Sequence, residues 1–332
     1  MRLLVLGGSS FVGRAVVEEG VRRGWAVTTF NRGRSPAVDA NVERLVGDRL
    51  RPADLAPLGR RSWDHVVDTW SGPPRAARDS AAVLADRAGR YAYVSSCSVY
   101  ASPPPRGGDE SAATVDASPD AEAADYASAK RGSELAIEAA FGDRALFARA
   151  GLILGPHEDV GRLPWWLLRM DRGGEVLAPG PADLALQLID ARDLARWLLD
   201  AAADGLAGPF NAVSRPGHTT MGDLLGVCRE VTGADATLTW VDPAHVQAAG
   251  IEAWTDLPIW LPSDHEYRGL HEAGVERAHA AGLRCRPVRE TVEDTWAWLV
   301  AIGKRPPLRD DLAAPGLDPE RERAALAAWH AR

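Results

Sequence analysis

The sequence predicts an α/β fold, a doubly wound parallel sheet of Rossmann type followed by a smaller, mostly helical C-terminal lobe. Three observations carry this. Short apolar runs alternate with helical patterns through the first half of the chain, as parallel βαβ units require. A glycine-rich turn follows the first apolar run directly. After Gly155-Pro156 the texture changes, and nine of the twelve tryptophans lie beyond residue 160. The expected division is a first domain over 1–155, joined by a returning segment near Leu184–Ala203, and a second lobe over 156–332.

Each element follows from its pattern. Arg2–Leu6 is an apolar strand, and Phe11–Arg23 is a helix with Phe11, Val12, Ala15, Val16 and Val21 on roughly one side. Further strands are expected at Ala26–Phe30, Val42–Val46, His65–Asp68 and Tyr91–Ser95. Ser102–Pro119 is rich in proline, glycine and acids, and is the longest interruption, a length that marks a functional or mobile loop. Tyr126–Ala140 reads as a helix and Ala145–Arg149 as the sixth strand. In the second half Leu163–Met170, Thr220–Thr232 and Val288–Leu299 read as helices. The last two carry start signals, Thr220 with Asp223, and Thr291 with Asp294 after Pro287. Leu317–Arg332 closes the chain as a charged helix.

Composition narrows the function. The chain has 332 residues, 46% hydrophobic and 25% charged, which is globular and excludes global disorder. Lys plus Arg total 38 against 46 Asp plus Glu, a net charge of −8, which speaks against a nucleic-acid binder. No apolar run reaches the roughly 18 residues of a membrane span. Met1–Gly13 is apolar but leads into glycines and a polar helix pattern, so it reads as a first strand rather than a signal peptide. Cys97, Cys228 and Cys285 have neither metal spacing nor an even disulfide framework, which fits a reducing cytoplasm. His157-Glu158 has no second histidine at ligand spacing, so no metal is expected. The expected partner is a small-molecule substrate, for a monomer or homodimer without nucleic acid or membrane.

The turn Gly7-Gly8-Ser9-Ser10-Phe11-Val12-Gly13 lies between a strand and a helix, the setting in which a dinucleotide pyrophosphate meets a helix N-terminus. Gly7 permits the tight turn, and Gly13 lets helix and strand pack closely. The second strand ends Phe30-Asn31-Arg32-Gly33-Arg34, with no carboxylate for a ribose 2′-hydroxyl before Asp39. Arg32 and Arg34 suit a 2′-phosphate instead, so NADP(H) is expected over NAD(H). Asp48, after the third strand, is a candidate acceptor for the adenine amino group or a plain turn residue.

Tyr126-Ala127-Ser128-Ala129-Lys130 sets a phenol and an ammonium one helical turn apart on one face. A free tyrosine has a pKa of about 10. A neighbouring ammonium stabilises the phenolate and brings it toward neutral-pH work. Upstream, Val94-Ser95-Ser96-Cys97-Ser98-Val99-Tyr100 gathers hydroxyls at a strand C-terminus, where open α/β sheets bind ligands.

Together these pieces resemble an extended or atypical short-chain dehydrogenase/reductase of the NAD(P)-dependent epimerase/dehydratase family. The likeness rests on Gly7-x-x-Ser10-Phe11-Val12-Gly13, Gly47-Asp48, Ser95-Ser96-x-Ser98-Val99-Tyr100 and Tyr126-x-x-x-Lys130. It continues through Arg149-Ala150-Gly151-x-Ile153-x-Gly155-Pro156 and Gln187-x-Ile189-Asp190-x-Arg192-Asp193-Leu194, covering about residues 1–200. The end, from Gly282-Leu283-x-x-Arg286-Pro287 to Asp294-Thr295-x-Ala297-Trp298, resembles the family's closing helix. The resemblance implies Ser96 as the catalytic hydroxyl, Tyr126 as acid/base, and Lys130 as a holder of the nicotinamide ribose as well. Ser10 stands where the family usually has its middle glycine. Cys97 and Ser98 stand where sugar-nucleotide dehydratases carry an Asp-Glu pair, which makes elimination by that route an unexpected activity here.

In the second half His157, Arg162, Trp165, Trp166, Trp254, Trp260, Asp264, His265 and Tyr267 are candidate pocket residues for a flat or apolar substrate. The leading expectation is an NADP(H)-dependent oxidoreductase acting at a carbonyl or alcohol carbon. The alternatives are an epimerase of a sugar-nucleotide-like substrate with tightly bound NAD(P), and a non-catalytic nucleotide-binding protein.

Overall fold

The structure is a computed structural model, and residues 1–36 and 38–332 are described. In chain order its elements are β1 (Arg2–Leu6), α1 (Phe11–Arg22), β2 (Ala26–Asn31), β3 (Glu43–Val46), α2 (Ala56–Gly59), β4 (Trp63–Asp68), α3 (Pro74–Leu84), β5 (Ala88–Ser96), α4 (Tyr126–Phe141) and β6 (Ala145–Ala150). There follow β7 (Leu152–Leu154), α5 (Arg162–Asp171), β8 (Gly174–Pro179), β9 (Ala185–Leu186), β10 (Leu188–Asp190), α6 (Ala191–Ala203) and β11 (Gly208–Ala212). The chain ends with β12 (Thr219–Thr220), α7 (Met221–Thr232), β13 (Ala236–Val241), α8 (Pro243–Ala248), α9 (Glu276–Ala280), α10 (Val288–Ala301) and α11 (Pro319–His330).

Two compact units emerge. The first takes Met1–Gly151, Ala191–Val213 and Ala273–Cys285, and the second Leu152–Asp190, Ser214–Glu272 and Arg286–Arg332. These limits differ from the expected ones: the first break falls at Gly151, and a later stretch, Ala273–Cys285, also returns to the first unit.

The first unit is built on a seven-stranded sheet in the order β11-β6-β5-β4-β1-β2-β3, parallel throughout. The order reverses at β1, between β2 and β4, which is the switch point where doubly wound sheets bind ligands. Leu3, Leu4, Val5 and Leu6 have almost no exposure, because a central parallel strand is covered on both faces. Register aligns the C-terminal ends: Leu6 pairs with Phe30 and Asp68, and Asp68 with Tyr93. The core under the sheet gathers Leu4, Phe30, Leu58, Val66, Tyr91, Ile137 and Phe147.

The sequence reading overlooked α3 and β11. Pro73 and Pro74 open α3, and its buried face is Pro74, Ala76, Ala77, Ser80, Ala81 and Leu84, with Leu84 its one large aliphatic side chain. The Ser102–Pro119 loop is pinned rather than bare: Tyr100 bridges Thr114, and Asn211 Nδ2 and the Gly274 amide both donate to the Gly108 carbonyl.

The second unit packs helices around Trp166, Leu167, Met170, Leu224, Trp260, Leu299 and Leu326. It also holds three two-stranded pairs, β7 with β10, β8 with β13, and β9 with β12. The Thr220–Asp223 start signal forms a reciprocal capping box on α7. The second start signal does not form. Pro287 caps α10, and Thr291 lies buried inside it, donating to Asp190 Oδ2 at 2.9 Å. The closing helix α11 packs on α8, β8 and β13, and its buried Glu322 pairs with Arg169 at 2.7 Å.

Candidate active site

At the switch point the chain leaves β1 through Gly7, with φ +116°, and enters α1 at Phe11. The loop cannot take side chains. A Cβ on Gly7 would stand 2.6 Å from Thr69 Oγ1, and one on Gly13 would stand 2.7 Å from the Gly8 amide nitrogen. Ser10 caps the helix with an extended backbone, but its side chain makes no capping bond. The first-turn amides of Phe11, Val12 and Gly13 therefore keep the anion-seeking character of a helix N-terminus. Phe11 itself has φ +34°, a strained conformation for a bulky residue, of a kind that clusters at ligand sites. These features fit a dinucleotide pyrophosphate. Thr69, which sequence reasoning missed, closes the loop from the end of β4. Adjacency to β1 in a parallel sheet is the signal that finds it.

Asn31 ends β2 with both side-chain groups committed. Its Nδ2 donates to the Gly7 carbonyl at 3.1 Å, and its Oδ1 accepts the Gly33 amide at 2.9 Å. Arg32 and Arg34 are exposed, and neither has an ion-pair partner among the described residues. Asp48 is half-buried, and its carboxylate accepts the Leu50 amide at 3.0 Å, the behaviour of a turn residue.

The catalytic candidates lie at the end of β5 and on α4, two elements that pack together. Asp125 caps α4, its carboxylate accepting the Ser128 amide and hydroxyl at 3.0 and 2.7 Å. Tyr126 is thereby the first helical residue, and it is 52% exposed. One turn on, Lys130 is buried, and its Nζ donates to the carbonyls of Trp70 and Val94 at 2.6 and 2.8 Å. The ammonium lies 4.8 Å from the Tyr93 ring centre and 5.9 Å from that of Tyr126. Ser96 stands at the end of β5 with its Oγ 3.1 Å from both the amide and the hydroxyl of Ser98. Cys97 follows, its thiol donating to the Arg149 carbonyl at 3.2 Å. Burial pushes its pKa up to about 12, so it carries no charge at neutral pH.

A buried network behind the site escaped the sequence reading. Arg49 forks onto Asp68 at 2.6 and 2.8 Å, and its Nε reaches Ser80 Oγ at 3.1 Å. Tyr91 Oη donates to the same carboxylate at 2.6 Å, and the Trp70 amide donates at 2.9 Å. Burial disfavours the Arg49 cation, but attraction to Asp68 more than offsets this and its pKa is raised. The Arg49 guanidinium also lies 4.9 Å from the Trp70 ring centre. The residue whose carbonyl holds Lys130 is thus itself held in place.

In the second unit two of the candidate pocket residues are core. Trp166 and Trp260 are fully buried, with their indole N–H groups donating to the Pro258 and Gly180 carbonyls. Trp165 and Trp254 are half-buried, Arg162 lies 5.1 Å from the Trp254 ring, and His157 lies 5.2 Å from that of Trp298. Asp264 and Tyr267 are exposed, and His265 Nδ1 accepts the Tyr267 amide. Among the described residues no group of three His, Cys, Asp or Glu is placed to hold a metal ion, and no helix is long and apolar enough to cross a membrane.

Two buried groups in this unit oppose each other in pH. Burial, partly offset by Arg162 and two amides of α5, raises Glu158 to about 7. Burial lowers His271 to about 4, with its Nε2 on the Ile259 carbonyl at 2.8 Å. The unfolded chain ionises Glu158 first, so the Glu158 contribution to stability is present below about pH 4.5 and lost as pH rises through about 7. The unfolded chain protonates His271 first, so stability is lost as pH falls from about 6.5 toward about 4. Glu158→Gln removes one slope. Denaturant titrations should show this variant gaining roughly 2–4 kcal/mol on the wild type between pH 5 and pH 8. A pH-independent difference would refute the assignment.

Residues 3–212 match the model of the NAD dependent epimerase/dehydratase family. No curated protein matches the sequence. Among solved structures, UDP-glucose 4-epimerase of Thermotoga maritima, with UDP-glucose, is 18% identical, with 91% of this chain and 99% of that one covered and a TM-score of 0.65. The Bordetella bronchiseptica enzyme WbmG, in complex with NAD and UDP, is 16% identical over 95% and 99%, with a TM-score of 0.68. UDP-N-acetylglucosamine 4-epimerase of Methanobrevibacter ruminantium M1 is 16% identical over 91% and 98%, with a TM-score of 0.68. At these identities the likeness is one of fold. The family match spans well over half of the chain, through the glycine turn, the serines of β5 and the Tyr126–Lys130 helix, and the chain belongs to the NAD dependent epimerase/dehydratase family.

Proposed function

We propose that this protein is an epimerase of a nucleotide-sugar-like substrate, removing a hydride from a carbinol carbon and returning it within one turnover. One observation carries the reading: the Ser96 hydroxyl ends β5 beside a helix that presents Tyr126 to solvent and buries Lys130 within 6 Å of its ring. The similar structures that carry UDP-glucose, or NAD and UDP, support the substrate class and the cofactor.

In this reading Ser96 binds the substrate oxygen, giving up its bond to Ser98. Tyr126, as the phenolate that Lys130 stabilises, takes the carbinol proton as the hydride leaves, is a neutral phenol while the keto form exists, and gives the proton back as the hydride returns. Gly7, Ser9, Ser10, Phe11, Val12 and Gly13 would hold the pyrophosphate, Asp48 the adenine, and Tyr126 with Lys130 the nicotinamide end. The nicotinamide, when bound, supplies the site that accepts and returns hydride. Cys97, buried and neutral, offers no acid/base for elimination. In the second unit His157, Arg162, Trp165, Trp254, Asp264, His265 and Tyr267 remain the candidate substrate contacts.

The test is incubation with substoichiometric NAD⁺ and either UDP-glucose or UDP-N-acetylglucosamine, followed by NMR. Appearance of the epimer without net change at 340 nm supports the proposal. Steady consumption of NADPH with a carbonyl substrate supports a net oxidoreductase instead. Binding without turnover of any substrate supports a non-catalytic role.

The oxidoreductase reading keeps one observation of its own. The unpartnered Arg32 and Arg34, beside a committed Asn31, suit a 2′-phosphate and so NADP(H). If so, calorimetry should show tighter binding of NADP⁺ than NAD⁺, and replacing both arginines by alanine should erase most of that gap. Equal affinities in the wild type would dismiss the preference.

A further inference from the structure

Tyr126, Lys130 and Glu134 stand four apart on α4 and share one face. The stripe runs from solvent into the core, ending at Glu134, which has no exposure. No step above uses Glu134, yet its carboxylate takes donors from three elements. Ser95 Oγ donates at 2.7 Å, Arg149 Nε and Nη2 each at 3.0 Å, and Arg131 Nη1 at 2.9 Å. Ser95 and Arg149 are register partners on β5 and β6, so the carboxylate spans paired residues of the sheet. Ser95 is also the neighbour of Ser96.

The chain of bonds continues. Arg149 Nη1 reaches Tyr100 Oη and the Glu110 carbonyl, both at 3.3 Å. Tyr100 Oη donates to Asn211 Oδ1 at 2.6 Å, and the Asn211 amide donates to Glu110 Oε1 at 2.7 Å. One buried network thus joins the helix of Tyr126 and Lys130, the end of β5, and the loop over 102–119.

We propose that Glu134 is a positioning residue, which fixes α4 against the end of β5 so that Ser96 and the Tyr126–Lys130 pair keep one mutual geometry. The proposal rests on the reading of those three as the reacting groups. A buried ion pair adds little net stability over apolar side chains of the same shape. A bidentate guanidinium and a hydroxyl on one carboxylate do fix direction. Direction is what reacting groups need, since a displacement of about 1 Å can cost on the order of 10² in rate.

The test is Ser95→Ala in the full chain, which deletes one donor and leaves the Glu134–Arg149 pair in place. Hydrogen exchange of the unliganded protein needs neither substrate nor cofactor. Segments 95–100 and 126–134 should exchange roughly tenfold faster, from loss of one hydrogen bond to a charged group. Segment 26–31, across the sheet, should keep its rate. Equal acceleration everywhere, or no change over 126–134, overturns the proposal. In turnover, kcat should fall roughly 10–100-fold with the Kd for NAD⁺ unchanged, and an unchanged kcat also overturns it. If the wild type turns over no nucleotide sugar, the functional reading fails instead, and the exchange arm still judges the clamp.

Discussion

Tyr126→Phe should lower turnover by roughly 10²–10⁴-fold while leaving cofactor binding nearly intact. The substitution removes only the hydroxyl from a ring that is half exposed at the start of α4, so packing changes little. Lys130→Met should damage both turnover and cofactor affinity. It also strips the Trp70 and Val94 carbonyls of a buried donor, so some stability goes with it. Steady-state rates and calorimetric Kd values separate the two variants. Full activity in Tyr126→Phe would remove the acid/base assignment.

Asp68→Asn should cost about 3–5 kcal/mol of stability, because it leaves Arg49 buried without its counter-ion. Arg49 loses a bidentate partner, and Tyr91 Oη and the Trp70 amide lose a charged acceptor. The double replacement Asp68→Leu with Arg49→Met should cost less than Asp68→Asn alone, since no charge is then stranded. Urea midpoints decide this. A loss under about 1 kcal/mol for Asp68→Asn would mean that water reaches the pair.

The contrast between these two predictions shows what a sequence discloses. Gly7, Gly13, Tyr126 and Lys130 were legible because their spacing is local: a turn or a single helical face expresses them. The parallel sheet was legible for the same reason, through short apolar runs separated by helices. Asp68 and Glu134 were not, because the guanidinium that forks onto each comes from far along the chain. Arg49 lies 19 positions from Asp68, and Arg149 lies 15 from Glu134. Thr69 likewise becomes a candidate only once β4 is known to lie beside β1. The tryptophans misled in the other direction. Trp166 and Trp260 looked like pocket residues in irregular Trp/Pro-rich sequence, yet both pack the core of the second unit with satisfied N–H groups.

The Asn31 turn has a role that local spacing does not express. The absence of a carboxylate after β2 was plain in the sequence. The structure adds that Asn31 spends its amide on Gly7 and Gly33, so it braces the glycine turn instead of reaching outward. In the proposed reading the ribose then falls to the arginines beyond it, and the cofactor titration above tests that assignment.

In the proposed reading hydride leaves and returns to the same carbon under the control of Tyr126. The decisive measurement uses a UDP-sugar deuterated at the carbon whose configuration changes, incubated in ordinary water with NAD⁺. The account predicts an epimer that retains its deuterium, formed by the wild type and lost in Tyr126→Phe. Washout of the label into solvent, or epimer formation unaffected by Tyr126→Phe, would contradict it.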